Sequence, residues 1–347
     1  MTTVYYKGYN KEMSKQDLMV SVVCTVFNKE NWIKQTIDSI LSQKTKFNFE
    51  IILIDDASTD ASAKILKDYS DKNNNIKTIF NKKNMGITKT WIKACKFATG
   101  KYIARCDGDD YWIDDHKLQK QVDALEATSK SKWSNTDFDI VDVNSKTLNT
   151  SAFKNNLFSL PKTYEQMLSS KGFTVPSTWL VETRLMKEIN NKIDRNAVDD
   201  TFNIQLELFH ATKLTYLPYN STAYRVGQES ESRPFDPQKT KNRINLLLKT
   251  QMEYLDKYNN VSFKNIAEDA LKISATNEEI TIDLGINGNI LRHKIEEQDK
   301  RIEEQDKRIE EQDKRIEEIK NSKTYKIAQK LSSLKNQTKK TITGIYK

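Results

Sequence analysis

Cysteine is nearly absent from this chain. Its 347 residues include only Cys24, Cys95 and Cys106. The number is odd and no pair has C-x-x-C spacing, so a disulfide framework is not expected; the three read as reduced, buried thiols of a cytosolic protein. Long apolar runs are missing too. No stretch approaches the roughly 18 apolar residues of a membrane span, and the opening "MTTVYYKGYN" lacks the apolar core of a signal peptide. Glycine is missing where a phosphate-binding loop would need it: "VFNKENW", after the first strong apolar run, has none, which counts against a nucleotidyltransferase. Acidic residues are absent from Lys320 to Lys347, which holds eight lysines. The net charge of +8 therefore belongs to this tail, while residues 1–319 balance. A folded body without net positive charge argues against nucleic acid as partner.

What is present alternates. "VSVVCTVF" (20–27) and "FEIILIDD" (49–56) are β-branched apolar runs of the kind buried in parallel sheets. "IKTIF" (76–80) and "KYIARC" (101–106) repeat the pattern. Between them, "NKENWIKQTIDSILSQ", "STDASAKILKDYS" and "MGITKTWIKACKFAT" space their apolar residues at helical intervals. This predicts a doubly wound α/β layer, in which ligands bind beyond the carboxyl ends of the strands. Farther on, "FDIVDV", "STWLV" and "KLTYLP" read as strands and "VDDTFNIQLELFHAT" as a helix with acids at its start. From Pro237 the pattern is helical.

A seven-residue repeat then appears. "IEEQDKR" begins at 295, 302 and 309, and a fourth copy starts at Ile316. Ile295, Ile302, Ile309 and Ile316 take the a position, with Leu291 and Ile319 at d and glutamine at the other d positions. Arg301 at g and Asp306 at the next e would face each other across a parallel pair. Self-association through 291–319 is expected, a lone charged helix being the alternative. In the tail, Ile327, Leu331, Leu334, Ile342 and Ile345 recur at helical spacing among lysines. That pattern suits an anionic membrane surface; packing on the oligomer is the other reading.

Two acidic clusters end strands. Asp55-Asp56 closes the second, and Asp107, Asp109 and Asp110 of "CDGDDYW" follow the fourth. On an extended segment Asp107 and Asp109 project to one side. Two carboxylates so placed suit Mn²⁺ or Mg²⁺, which would also offset their mutual repulsion. A solvated acidic turn remains open at this point.

The blocks "VSVVCTVFNKENWIKQTIDSILSQ", "FEIILIDDASTDAS", "NMGITKTWIKACKFATGKYIARCDGDDYW" and "DDHKLQKQV", in this order, resemble glycosyltransferase family 2, over roughly residues 20–228. The resemblance implies an α/β GT-A domain with a doubly wound mixed sheet; the patterns beyond it add a helical region and a C-terminal coiled coil. The expected division is a lead-in over 1–19, a catalytic domain over 20–228, a helical connector over 229–290, the heptads over 291–319 and the basic amphipathic tail over 320–347. The resemblance implies an inverting enzyme that moves a sugar from a nucleotide-sugar, a UDP-sugar, to a hydroxyl of a glycan, lipid-linked or protein-linked acceptor in bacterial surface glycan synthesis; with the basic tail, a cytoplasmic place at the inner face of the cell membrane is expected. Thr25, Phe27, Asp55 and Asp56 match the residues around the nucleotide, with Asp56 on the base. Asp107 and Asp109 match the metal and donor contacts, with Asp110 supporting the loop. Asp200 aligns with the catalytic base, and Asp199 stands beside it in place of a commoner Glu.

Some positions depart from that pattern or stay open. Tyr224 and Arg225 match a "YR" pair, but Gly227 stands where a His is frequent. The Q-x-x-R-W signature of processive members is missing, so one sugar per encounter is expected. Ser177 and Trp179 match the acceptor side, although Trp179 equally suits a core strand; Trp112 equally suits the sugar or the core. His210 reads as structural and Lys89 as solvated. A scaffold that has lost activity and clusters through its coiled coil is the competing reading.

Overall fold

A computed structural model describes residues 3–5, 18–171, 174–197, 199–227, 235–258, 261–323 and 326–334. Most of the lead-in over 1–19, the tail beyond 334 and the side chains of Leu291 and His293 lie outside the described residues. In chain order the first half contains β1 (Thr3–Tyr5), β2 (Leu18–Val26), α1 (Ile33–Leu41), β3 (Asn48–Asp55), α2 (Ser62–Lys72), β4 (Ile76–Phe80), α3 (Ile87–Cys95), β5 (Tyr102–Arg105), β6 (Tyr111–Trp112) and α4 (Lys117–Glu126). The second half contains β7 (Ser131–Val141), β8 (Thr147–Asn149), α5 (Tyr164–Ser170), β9 (Leu180–Glu182), α6 (Thr183–Asn190), α7 (Asp200–Ala211), β10 (Lys213–Arg225), α8 (Pro237–Lys257) and α9 (Val261–Asn321).

The strands form one mixed sheet in the order β1-β4-β3-β2-β5-β9-β7-β10-β6, with β8 paired to β7. β4, β3, β2 and β5 are mutually parallel. β9 runs antiparallel to both β5 and β7, and so joins them. β10 runs parallel to β7, with register shifts between Leu217 and Thr222. Pro218 falls within that interruption, where a residue without an N–H breaks no ladder.

Both faces of the sheet are covered, which is why its central strands are apolar throughout instead of alternating. On β3, Ile52 and Ile54 join a core with Trp91 of α3, Met186 of α6, Phe202 of α7 and Leu247 of α8. Ile51 and Leu53 face the opposite core, with Ile33, Ile37 and Ile40 of α1, Leu66 of α2 and Leu118 of α4. Each fully buried Ile or Leu of this kind contributes roughly 1.5–3 kcal/mol. Near the start of β2 the chain is so close-packed that a Cβ on Gly100 would stand 2.7 Å from the Ser21 nitrogen; glycine is needed there for space.

The compact unit runs from Met1 to Glu279. It extends past residue 228 because α8 buries Leu247, Tyr254 and Leu255 in the first core. Lys257 and Tyr258 add bonds to the buried Glu207 of α7 at 2.6 and 2.8 Å. The second unit, Ile280–Lys347, is helical through Asn321. Along it Ile295, Ile302, Ile309, Ile316 and Ile319 are exposed, as are Ile327, Leu331 and Leu334. No described helix is long and apolar enough to cross a membrane. All three cysteines are buried and free.

Candidate active site

Because β3, β2 and β5 are parallel, their carboxyl ends share one edge, and the acids that follow them converge there. Asp56 N–H donates to the Val26 carbonyl at 2.8 Å, and Cys106 N–H to the Val23 carbonyl at 3.1 Å. Gly108 packs so near β2 that a Cβ there would lie 3.2 Å from the Thr25 carbonyl. Phe27, just past β2, is 41% exposed on this edge, whereas Thr25 is buried.

The two acids after β3 behave differently. Asp56 is buried and its carboxylate accepts from Asn81 Nδ2 at 2.7 Å, Met85 N–H at 2.9 Å and Gly86 N–H at 3.0 Å. It thereby holds the turn that opens α3. Asp55 accepts from Ser58 N–H at 3.0 Å through Oδ2, while its buried Oδ1 has no partner. Burial raises the Asp55 pKa above the usual carboxylate value, against the hydrogen bonds of Ser58.

The three aspartates of "CDGDDYW" also separate. Asp110 is enclosed, accepting from the Ser177 hydroxyl at 2.6 Å and Arg225 N–H at 3.0 Å. Its pKa is raised well above normal, first by burial and then by Asp109 and Asp107. The Ser177 hydroxyl also accepts from Asp107 N–H at 3.0 Å, so one side chain fixes both ends of the turn. Asp107 and Asp109 retain side-chain exposures of 25% and 15%. Their charges are met by the protein: Arg105 Nε donates to Asp107 at 2.8 Å and Lys29 Nζ to Asp109 at 2.7 Å.

Arg105 joins this station to a third acid. Its Nη1 donates to Asp200 Oδ2 at 2.6 Å, and its guanidinium lies over the Trp91 ring at 4.7 Å. Burial opposes the guanidinium charge, but Asp107 and Asp200 outweigh it and bind its proton more firmly than water would. Asp200, the first residue of α7, is nearly fully buried, and burial pushes its pKa up to about 6 against the pull of Arg105. Asp199 is the N-cap of α7, accepting from Phe202 N–H at 3.0 Å, and it pairs with Arg243 of α8. Its carboxylate thus serves the cap and an ion pair.

Several residues left open in the sequence take definite places. Trp112 and Trp179 are both core residues; the first donates to the Ser177 carbonyl at 2.8 Å and the second stacks edge-on against Trp133. His210 stacks on Tyr258 at 3.6 Å, and Lys89 is exposed. Gly227 has φ +94°, a backbone state that histidine adopts only with strain. Arg225 is buried and surrounded by acceptors, donating to the carbonyls of Asp109, Asp142 and Val143 at 2.8–3.0 Å and to Gln35 at 2.8 Å. Among the described residues, Asp114, Asp115 and His116 are the one group of three potential ligands close enough to share an ion; Lys120 and Lys44 already pair with its two carboxylates.

Sequence reasoning missed Arg105, Lys29 and Arg243. Arg105 had a signal, since it stands two residues before Asp107 at a strand end and must share its side. Lys29 and Arg243 had none, because their partners lie 80 and 44 positions away.

A parallel-stranded α/β sheet with acids gathered on its carboxyl edge is the architecture of a nucleotide-binding domain. Residues 21–189 match the model of glycosyl transferase family 2, so this segment is a domain of that type. It is 35% identical over 107 residues to a putative teichuronic acid biosynthesis glycosyltransferase, TuaG, of Bacillus subtilis, covering 31% of this chain and 42% of that protein. The chain spans about a third of the length of the first curated relatives it matches. Its fold is similar to that of S. aureus TarS in complex with UDP-GlcNAc, with a TM-score of 0.54, 21% identity, and coverage of 72% of this chain and 70% of that one. It is equally similar in fold to the Pyrobaculum calidifontis mannosyltransferase PcManGT in complex with GDP-Man and Mn²⁺, with a TM-score of 0.54, 14% identity, and coverage of 78% and 74%. The fold is therefore of the GT-A type.

Proposed function

We propose that the chain is an inverting, metal-dependent glycosyltransferase that moves one sugar at a time from a UDP-sugar to a hydroxyl of a bacterial surface glycan or its precursor. The observation that carries this reading is the meeting of three acidic stations on one sheet edge, two of them joined by Arg105. The exposed ring of Phe27 offers a face for the base. The partnerless Oδ1 of Asp55 is an acceptor suited to a base N–H, and Asp56 steadies the adjoining turn. Thr25, buried near the end of β2, belongs to the same edge.

Asp107 and Asp109 present only hard carboxylate oxygens and both remain partly open. That donor set fits Mn²⁺ or Mg²⁺, whose remaining positions go to diphosphate oxygens. Such an ion would stabilise the charge of the nucleotide diphosphate leaving group. Asp200 accepts the acceptor hydroxyl's proton, oriented by Arg105 on one oxygen. Asp199, locked by Arg243, sets the start of α7 and therefore where Asp200 points.

Two known proteins support the surroundings of this reading: TuaG by its name, and TarS by the UDP-GlcNAc in its crystal. Calorimetry with a panel of UDP- and GDP-sugars in Mn²⁺ tests it. A UDP-sugar is expected to bind and to be slowly hydrolysed. Binding of GDP-sugars alone would refute the base assignment, and no binding by either class would leave only the scaffold.

The exposed isoleucine seam of α9 supports self-association through residues 291–319, with Arg301 facing Asp306 of a second copy. Sedimentation equilibrium of the full chain should show an oligomer, and replacing Ile302 and Ile309 by lysine should return it to monomers. A monomeric parent chain would rule the coiled coil out.

A further inference from the structure

The two carboxylates assigned to the metal are each gripped by a cation of the chain, and the two cations differ in kind. Arg105 has a side chain only 3% exposed, is bonded to Asp200 as well as Asp107, and is covered by Trp91. It is locked in place. Lys29 has an 18% exposed side chain, and its ammonium stands 2.7 Å from Asp109 Oδ2 and 5.6 Å from the centre of the Trp32 ring.

The backbone beneath Lys29 cannot shift easily. Asn28 N–H donates to the Ser58 hydroxyl at 2.9 Å, Lys29 N–H to the Ser62 hydroxyl at 2.8 Å and Glu30 N–H to Asp60 at 3.0 Å. In return Asn28 and Glu30 accept from the N–H groups of Thr59 and Ala61, each at 2.8 Å. Trp32 is fixed by its Nε1, which donates to the Val143 carbonyl at 3.0 Å. The freedom that remains lies in the four methylenes of the Lys29 side chain.

An ammonium at hydrogen-bond distance and a divalent ion at about 2.0–2.2 Å compete for the same carboxylate oxygen. We infer that Lys29 is a counter-ion that yields Asp109 to the metal and then binds the diphosphate of the nucleotide-sugar. The inference rests on the reading of Asp107 and Asp109 as metal ligands. A metal held by these carboxylates would carry phosphate oxygens beside Asp109, where the ammonium already stands 2.7 Å from Oδ2. Lysine suits this exchange better than arginine: it is a compact point charge on a flexible stem, able to change partners without re-forming a planar fork. The same residue thus offsets the repulsion of the acids before the ligands arrive and adds positive charge at the leaving group afterwards.

Two titrations on the full chain test this, Mn²⁺ alone and UDP in saturating Mn²⁺. In Lys29→Met, Mn²⁺ alone should bind tighter, by up to about fivefold, because a part-buried competitor is gone. UDP in Mn²⁺ should bind about tenfold weaker, because a charge-assisted phosphate contact is lost. Lys29→Arg keeps the charge and should recover most of the UDP affinity. A purely structural lysine would move both affinities the same way or neither. Unchanged or weaker Mn²⁺ binding in Lys29→Met would overturn the counter-ion role, and unchanged UDP binding the phosphate role. If the unaltered chain shows no Mn²⁺-dependent UDP binding, the metal reading itself fails and the inference falls with it.

Discussion

Asp200→Asn is expected to lower sugar transfer by roughly a thousandfold, within the 10²–10⁴ range of a general base, while leaving UDP affinity essentially unchanged. The argument is geometric. Asp200 starts α7 and is fixed through Oδ2 by Arg105 at 2.6 Å. An amide of the same shape keeps the packing but cannot take a proton. Arg105 retains its bond to Asp107, so no unpaired buried charge is left behind. The pH profile supplies a second readout. Asp200 acts as a base only when ionised, and its pKa lies at about 6. The specific rate kcat/KM of the unaltered chain should therefore be level above that pH and fall about tenfold per unit below it. Stability runs the other way: a carboxyl whose pKa is raised by folding costs stability above about pH 6, and the cost is relieved as pH falls toward its unfolded value. Full transfer by Asp200→Asn, or a profile without an acid limb near 6, would remove Asp200 from the role.

Arg225→Ala is expected to be the most damaging change to stability, by about 3–5 kcal/mol. Arg225 is 1% exposed. Its guanidinium collects carbonyls from the turn after β5 (Asp109) and from the turn after β7 (Asp142, Val143), together with Gln35 of α1. It also lies over Tyr111 at 5.5 Å and Trp32 at 5.9 Å. Removing it takes the guanidinium from all of those acceptors at once, leaving the Val143 carbonyl with Trp32 Nε1, the Asp142 carbonyl with Ser145 N–H and Gln35 with the Ser145 hydroxyl. A loss of this size should lower the melting temperature by roughly 6–20 °C for a unit of this length. Because the Asp109 carbonyl is among the acceptors, Mn²⁺-dependent UDP binding should weaken even below the new melting point. Arg225→Lys should not rescue, since one ammonium cannot span three segments. A melting temperature within two degrees of the parent, on the same scale, would show that water replaces the guanidinium and that the hub is dispensable.

The resemblance to the family places Tyr224 and Arg225 together as a matching pair, without saying what the arginine touches. In the structure it is a strut beneath the site. The structure likewise adds local partners to Asp56 and Asp199. As residue types in acidic pairs they look equivalent to their neighbours, yet each is consumed by local bonds: Asp56 by the turn at Gly86, Asp199 by the cap of α7 and Arg243. Asp55 and Asp200 keep the unusual environments. Pattern cannot separate the members of an adjacent pair, because successive side chains point in different directions and only the surrounding elements say which direction holds a partner.

The sequence by itself determined the alternation of strands and helices through residue 126, since apolar periodicity reports burial directly and central parallel strands are buried on both faces. It also determined that the acids after β3 and β5 share one edge, because parallel strands align their carboxyl ends. The heptads of α9 were equally legible. Only the tertiary structure decided how the charges are balanced. Arg105 bridges two stations, Lys29 and Arg243 reach acids far away in the chain, and Ser177 ties Asp107 to Asp110. Those pairings depend on where side-chain tips meet after folding. Hydrophobic burial leaves a periodic trace along the chain, whereas a single ion pair between distant residues leaves none.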